Sequence, residues 1–207
     1  MTTLPDSRRS SPAAVAAWLR GHPAARLVGI AGIPGAGKST LAAALARLLP
    51  GSAVIPMDGY HFPLSSLDEE GRRRRGSPPT FDAVSFRRDL EGLKRTGSGV
   101  FPGWSHVRHD PEPGAIRIGP GTRPIFVEGL YVLFGSWGTR ALFDLTIFVE
   151  CDLESALRRV EDRLLECGYV TGGRPAARQR VETNDRLNAE AILADGGRDR
   201  ADFLVRS

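Results

Sequence analysis

Cysteine is nearly absent from the 207-residue chain, which carries only Cys151 and Cys167. Two thiols build neither a disulfide framework nor a cysteine-rich metal site, so a reduced, cytoplasmic protein is the expectation. No apolar run approaches the roughly 18 residues of a membrane-spanning helix. The N-terminal stretch MTTLPDSRRSSPAAVAAWLRGHP has arginines but no apolar core of a secretory signal, so neither export nor a membrane partner is expected. Lysine is as scarce as cysteine. Lys38 and Lys94 are the only two among 28 basic residues, and the net charge is a modest +4. The arginines do not alternate with aromatics, so nucleic acid is not an expected partner. There is no internal repeat and no composition break of the kind a linker makes. The expectation is one domain spanning residues 1–207, with ordinary globular hydrophobic and charged content.

What is present is an alternation. PAAVAAWLRGH reads as a short amphipathic helix over about 12–22, with a proline in its first turn. RLVGIAGI, SAVIPMD, RPIFVEGLYVLF and FDLTIFVECD are continuous apolar runs of strand length, the pattern of strands covered on both faces. Between and after them KSTLAAALARLLP, DAVSFRRDLEGLKR, DLESALRRVEDRLLECG and RQRVETNDRLNAEAILADG carry helical patterns. GVFPGWSHVRHDPEPGAIRI reads as strand, loop and strand, ADFLVRS as a last strand, and 65–81 as a polar loop with the charged tract DEEGRRRRG. Strands alternating with helices predict an α/β fold around a mainly parallel five-stranded sheet.

The most specific signal is GIPGAGKS, which fits G-x-x-x-x-G-K-[ST] with Gly32, Gly37, Lys38 and Ser39 at the fixed positions. Glycines let successive backbone N–H groups turn inward around phosphate oxygens, where a Cβ would collide. Gly35 and Ala36 complete the loop and Thr40 follows it. The helix that starts there adds its N-terminal dipole. The motif predicts that Lys38 reaches the β- and γ-phosphates of a nucleoside triphosphate and that Ser39 ligates Mg²⁺. In a chain that otherwise uses arginine, an ammonium at this place is informative.

Six stretches in order, GIPGAGKSTLA, PMDGYHFP, RRRGSPPTFD, WSHVRHDPEP, VEGLYVL and ETNDRLNAE, resemble the superfamily of P-loop kinases that contains uridine kinase, phosphoribulokinase and bacterial pantothenate kinase. The closest likeness is to its nucleoside-kinase-like and sugar-kinase-like branch. The resemblance implies a three-layer P-loop NTPase sandwich with a short lid over about 163–180, and ATP with Mg²⁺ as cofactors. It implies that Asp58 is the catalytic base, in keeping with a carboxylate at a strand end beside the phosphate loop; an Asp-Gly turn holding its own backbone is the plainer role. Glu128, closing IFVE, matches the carboxylate that holds magnesium, against a plain strand-end charge. Arg163 matches a lid-base arginine that stabilises transition-state charge.

For the acceptor, Tyr60 and His61 follow Asp58 as candidate pocket walls. WSHVRHD resembles the pantothenate kinase segment that contacts substrate, which maps contacts onto Trp104, His106 and His109. Arg75 and Asp82 in RRRRGSPPTFD match active-site positions, and Asn188, with Asn184 and Asp185, is implied near the acceptor. Zinc is the rival reading for the histidines, but they lack a helical H-x₃-H pair or a cysteine partner. The acceptor cues disagree: WSH leans toward pantothenate kinases and PPTFD toward the sugar-kinase-like branch. A homodimer is common in the family, although nothing in the sequence marks an interface. The expected activity is a Mg²⁺-dependent kinase that moves the γ-phosphate of ATP to a hydroxyl of a nucleoside, pantothenate-like or sugar-like metabolite. A nucleotide switch or assembly factor is the alternative; the N-K-x-D motif of a guanine-reading switch is missing.

Overall fold

The computed structural model describes residues 10–105 and 107–207. Its centre is a five-stranded sheet built from β1 (Leu27–Ala31), β2 (Ala53–Pro56), β5 (Ile125–Gly129), β6 (Leu145–Glu150) and β7 (Phe203–Arg206), in the order β2-β5-β1-β6-β7. Every pairing in it is parallel. Strands β1 and β5 are buried at each position, as parallel strands covered on both faces must be. Their apolar runs supply the middle of the core, with Ile30, Ile125 and Phe126 fully enclosed.

Helices flank this sheet. The first, α1 (Pro12–Gly21), is capped by the Ser11 side chain and packs on α2 (Lys38–Leu48), the helix that follows the phosphate loop. A short α3 (Glu69–Arg73) interrupts the stretch expected as a loop. Asp68 caps it by accepting from Gly71 N. Next comes α4 (Ala83–Thr96), which buries Phe86, Leu90 and Leu93, a helical spacing of four and three. The amphipathic α5 (Leu153–Glu166) leads through 167–172 to α6 (Gly173–Arg180). One wide π turn, Val181–Asp185, joins α6 to α7 (Arg186–Ala194).

A second, two-stranded antiparallel sheet pairs β3 (Gly99–Ser105) with β4 (Asp110–Ile118). It packs against the turn that follows β2. Two expectations are corrected. The apolar run through Phe134 is strand only as far as Gly129; Tyr131, Val132 and Leu133 are core residues of a loop. The second strand stops at Pro56, and Asp58 belongs to a single 3₁₀ turn, Met57–Tyr60.

Candidate active site

Sheet register brings the chemistry together. Glu128 on β5 is level with Ile30 of β1 on one side and Pro56 of β2 on the other. The phosphate loop starts at Gly32, two residues beyond Ile30, and Asp58 lies two residues beyond Pro56. All three therefore leave the sheet at one edge, the carboxyl ends of parallel strands. The strand order reverses there: β5 separates β1 from β2, while β6 lies on the opposite side of β1. Open α/β sheets bind ligands at such switch points.

The loop is shaped for an anion. Gly35 is left-handed at φ 76° and lies so close to α5 that a Cβ would run into the Ala156 carbonyl oxygen. Gly37, also left-handed, precedes α2, and no side chain among the described residues caps that helix end, which leaves its first N–H groups for a ligand. Lys38 folds back over the loop, donating from Nζ to the Ile33 carbonyl at 2.9 Å. Ser39 Oγ donates to Glu128 Oε1 at 3.0 Å, so a hydroxyl and a carboxylate already meet at the helix N-terminus. Glu128 is only 7% exposed.

Charges at this edge act on one another. Burial pulls the Lys38 ammonium down to about 8, opposed by Glu128 and Asp58 and assisted by Arg163. Burial pushes Glu128 up to about 7, helped by Asp58 and opposed by Lys38, the Ser39 hydrogen bond and Arg163. Each of the four groups thus lies within electrostatic reach of another, and strongly shifted groups of this kind concentrate at functional sites.

Asp58 and Arg163, two of these four groups, also line a cleft of about 270 Å³. Asp58, His61, Arg75, Trp104, His109 and Arg163 all line it. His61 Nδ1 lies 2.9 Å from the Asp58 carbonyl oxygen. Its ring meets Phe81 at a tilt of 36° with centroids 3.8 Å apart and lies 4.9 Å from Trp104, and burial lowers its pKa against the pull of Asp58. Arg75 lies over the Trp104 ring, 5.5 Å from its centroid, and donates from Nη2 to Asp110 Oδ1 at 2.8 Å. His109 has a positive φ of 51° and meets Tyr169 edge-on at 4.9 Å.

Three expected acceptor residues are placed elsewhere. Tyr60 is buried in the core, edge-on to Phe86, with its hydroxyl donating to Asp89 Oδ2 at 3.1 Å. Its hydroxyl is raised well above its ordinary range by burial and by Asp89. Asp82 caps α4, accepting from Ser85 N at 2.9 Å. Asn188 is buried beneath the 74–76 strap, near Gly76, with its Oδ1 facing Arg74 at 3.4 Å. His106 lies outside the described residues.

Sequence reasoning passed over Arg180 and Tyr169, which line the cleft with Asp185. Arg180 Nη2 and Asn184 Nδ2 each donate to the Arg75 carbonyl at 2.9 Å, and the Tyr131 hydroxyl donates to the Gly76 carbonyl at 2.8 Å. The signal for Arg180 was its spacing, four residues before Asn184, which is four before Asn188: a polar row on one helical face. The π turn lies within this row, a common feature of functional sites.

Residues 27–163 match the model of the phosphoribulokinase / uridine kinase family. The chain belongs to that family. A Schizosaccharomyces pombe protein that carries a uridine kinase name is 34% identical over 178 residues, covering 78% of this chain and 75% of the relative. The ATP-dependent kinase-like protein notR' of Aspergillus versicolor is 35% identical over 150 residues, covering 66% of this chain and 87% of its own. Among solved structures, one from Silicibacter sp. TM1040 named as a fructose transport system kinase superposes with a TM-score of 0.77. It is 33% identical and covers 92% of this chain and 98% of its own. The protein is thus a P-loop, ATP-binding kinase with an α/β sandwich fold.

Proposed function

We propose that this kinase transfers the γ-phosphate of ATP to a hydroxyl of a small polar metabolite, such as a nucleoside, pantothenate-like or sugar-like acceptor, with Asp58 as general base and Mg²⁺ required. The observation that carries the proposal is the adjacency of the cleft and the phosphate loop: Asp58 lines the cleft and also acts electrostatically on Lys38 and Glu128. A carboxylate there accepts the acceptor's hydroxyl proton as its oxygen attacks phosphorus.

Lys38 and the loop amides hold the β- and γ-phosphates, and Arg163 on α5 meets the charge spreading over the transferred group. The touching pair of Ser39 and Glu128 fits magnesium, which takes one or two carboxylates plus phosphate oxygens rather than a full protein cage. When bound, the ion neutralises phosphate charge. For the adenine, an apolar hollow of about 310 Å³ adjoins Gly37 and Thr40, lined also by Val149 and Val205. Arg159 closes its edge by donating to Ser207 Oγ at 2.9 Å. In this reading residues 1–207 act as one cytoplasmic catalytic domain, residues 163–180 form its lid, and its partner is the small-molecule acceptor.

The test is direct. ATP, Mg²⁺ and a panel of nucleosides, pantothenate, sugars and aminoalcohols are incubated with the enzyme, and products are weighed for one added phosphoryl group. Asp58→Asn should keep the KM for ATP and lose about 10²–10⁴-fold in kcat. Near-normal turnover by that variant on the phosphorylated acceptor would remove Asp58 from the base role.

A further inference from the structure

Arg75 is the most unusual group in the cleft. It is only 5% exposed, yet Nε and Nη1 have no hydrogen-bond partner among the described residues, while Nη2 is taken by Asp110. A buried arginine whose task was only to pair with Asp110 would be expected to use its remaining donors as well, because unmade hydrogen bonds of a charged group are costly inside a protein. Arg180 adds to the pattern: its Nη1 makes no hydrogen bond to the described residues, although Asp185 Oδ2 lies 3.7 Å away.

The guanidinium is also held in place before any ligand arrives. The Arg75 carbonyl accepts from Arg180 and Asn184, Thr80 Oγ1 accepts from Gly76 N at 3.0 Å, and Asp110 grips the head group. Fixed donors of this kind suit an oxyanion, which arginine recognises better than any other side chain does.

We infer that Arg75 is the specificity residue of the acceptor site, and that the acceptor is a small hydroxy compound bearing an oxyanion, a carboxylate or a phosphate ester, rather than a neutral nucleoside or sugar. This rests on the kinase reading above and narrows it. The arrangement gives the acceptor a direction. Asp58 repels the anionic end and Arg75 attracts it, the two being linked along the cleft lining by His61, which meets the Asp58 carbonyl, and by Trp104, which meets both His61 and Arg75. The hydroxyl end therefore points at Asp58. The cleft suits a small molecule, since about 270 Å³ is below the range of pockets for drug-sized ligands. Its aromatic rings are engaged with protein groups, Trp104 with His61 and Arg75, and Tyr169 with His109, which disfavours a stacked nucleobase.

The experiment compares matched acceptors in the presence of ATP and Mg²⁺: hydroxycarboxylates and phosphorylated polyols against the corresponding neutral polyols and nucleosides. The anionic member should be favoured in kcat/KM by about 10- to 100-fold, the value of a charge-assisted hydrogen bond. Whether hydroxycarboxylates or phosphate esters lead identifies the anion. Arg75→Met should erase the preference through KM for the acceptor while leaving KM for ATP in place, and Arg75→Lys should restore part of it. A neutral acceptor preferred by the wild type, or a preference unchanged in Arg75→Met, would overturn the inference.

A second arm needs no turnover. With the phosphate loop filled by a non-hydrolysable ATP analogue and Mg²⁺, inorganic phosphate or lactate is titrated against the melting temperature. At least one should stabilise the wild type and fail to stabilise Arg75→Met or, should that variant not fold, Arg75→Lys to the same extent. Stabilisation by neither refutes the anion site. The absence of any phosphorylated product across the whole panel would instead refute the kinase reading, whatever the titration shows.

Discussion

Asp58, Tyr60 and His61 are neighbours in sequence with different fates, and the reason is the turn that holds the first two and that His61 closes by donating its N–H to the Asp58 carbonyl. A 3₁₀ turn has three residues per revolution, so residues three apart lie on one face. Asp58 and His61 accordingly face the cleft together, while Tyr60 points at Phe86 and Asp89. Tyr60→Phe should therefore cost about 1 kcal/mol of stability in a denaturant melt and leave the acceptor KM unchanged. Glu128 carries a second prediction. Its carboxyl has a folded value near 7 against an ordinary value of 4.5. Between those two values the folded state binds more protons than the unfolded state, so this group makes the nucleotide-free protein less stable as pH rises through that window. Glu128→Gln keeps an acceptor for Ser39 without the buried charge. It should raise the melting temperature at pH 8 by several degrees, an effect on the order of 3 kcal/mol, and the gain should vanish near pH 4. A gain that is equal at both pH values would contradict this account.

At the scale of elements, backbone contact holds the parts of the site together. The turn bearing Asp58 lies so near the β3–β4 hairpin that a Cβ on Gly59 would sit 2.5 Å from the Pro102 carbonyl oxygen. Gly59→Ala must push turn and hairpin apart. It should lower kcat more than tenfold with little change in KM for ATP, because misplacing a catalytic group by about 1 Å can cost about 10²-fold. The helices were legible wherever a period of 3.6 met a cap, as in α4 with Asp82, Phe86, Leu90 and Leu93. The same Asp82 also resembled an acceptor residue in sequence, because a cap and a ligand contact call for the same side chain; in the fold it caps α4. The run through Phe134 misled differently. Burial is what makes a run apolar, and Tyr131, Val132 and Leu133 are buried without being strand.

The molecule is organised around a parallel sheet whose carboxyl edge is left open for ligand, with Lys38, a raised carboxyl and the N-terminus of α2 gathered there. Such an edge is strained in charge until it is filled. Nucleotide with Mg²⁺ should therefore stabilise the entire fold: a ligand at 100 times its Kd adds about 2.7 kcal/mol, or about 5–10 °C in melting temperature for a chain of this size. Lys38→Ala should abolish that rise along with phosphoryl transfer, and a normal nucleotide-induced shift in that variant would count against the loop assignment.

The amino-acid sequence by itself determined the fold class, the phosphate loop and the order of the family's motifs, because these depend on local spacing: glycines that permit a turn, apolar runs that enter a sheet, a helix that starts at Lys38. Only the tertiary structure decided which polar residues face the cleft. Arg75 and Arg180 are 105 positions apart and meet through one carbonyl oxygen, and Asn188, which the motif placed at the acceptor, lies under the strap that carries Arg75. Such contacts arise from the packing of one helix against a distant strap, and no local pattern records which side of that strap a side chain will take.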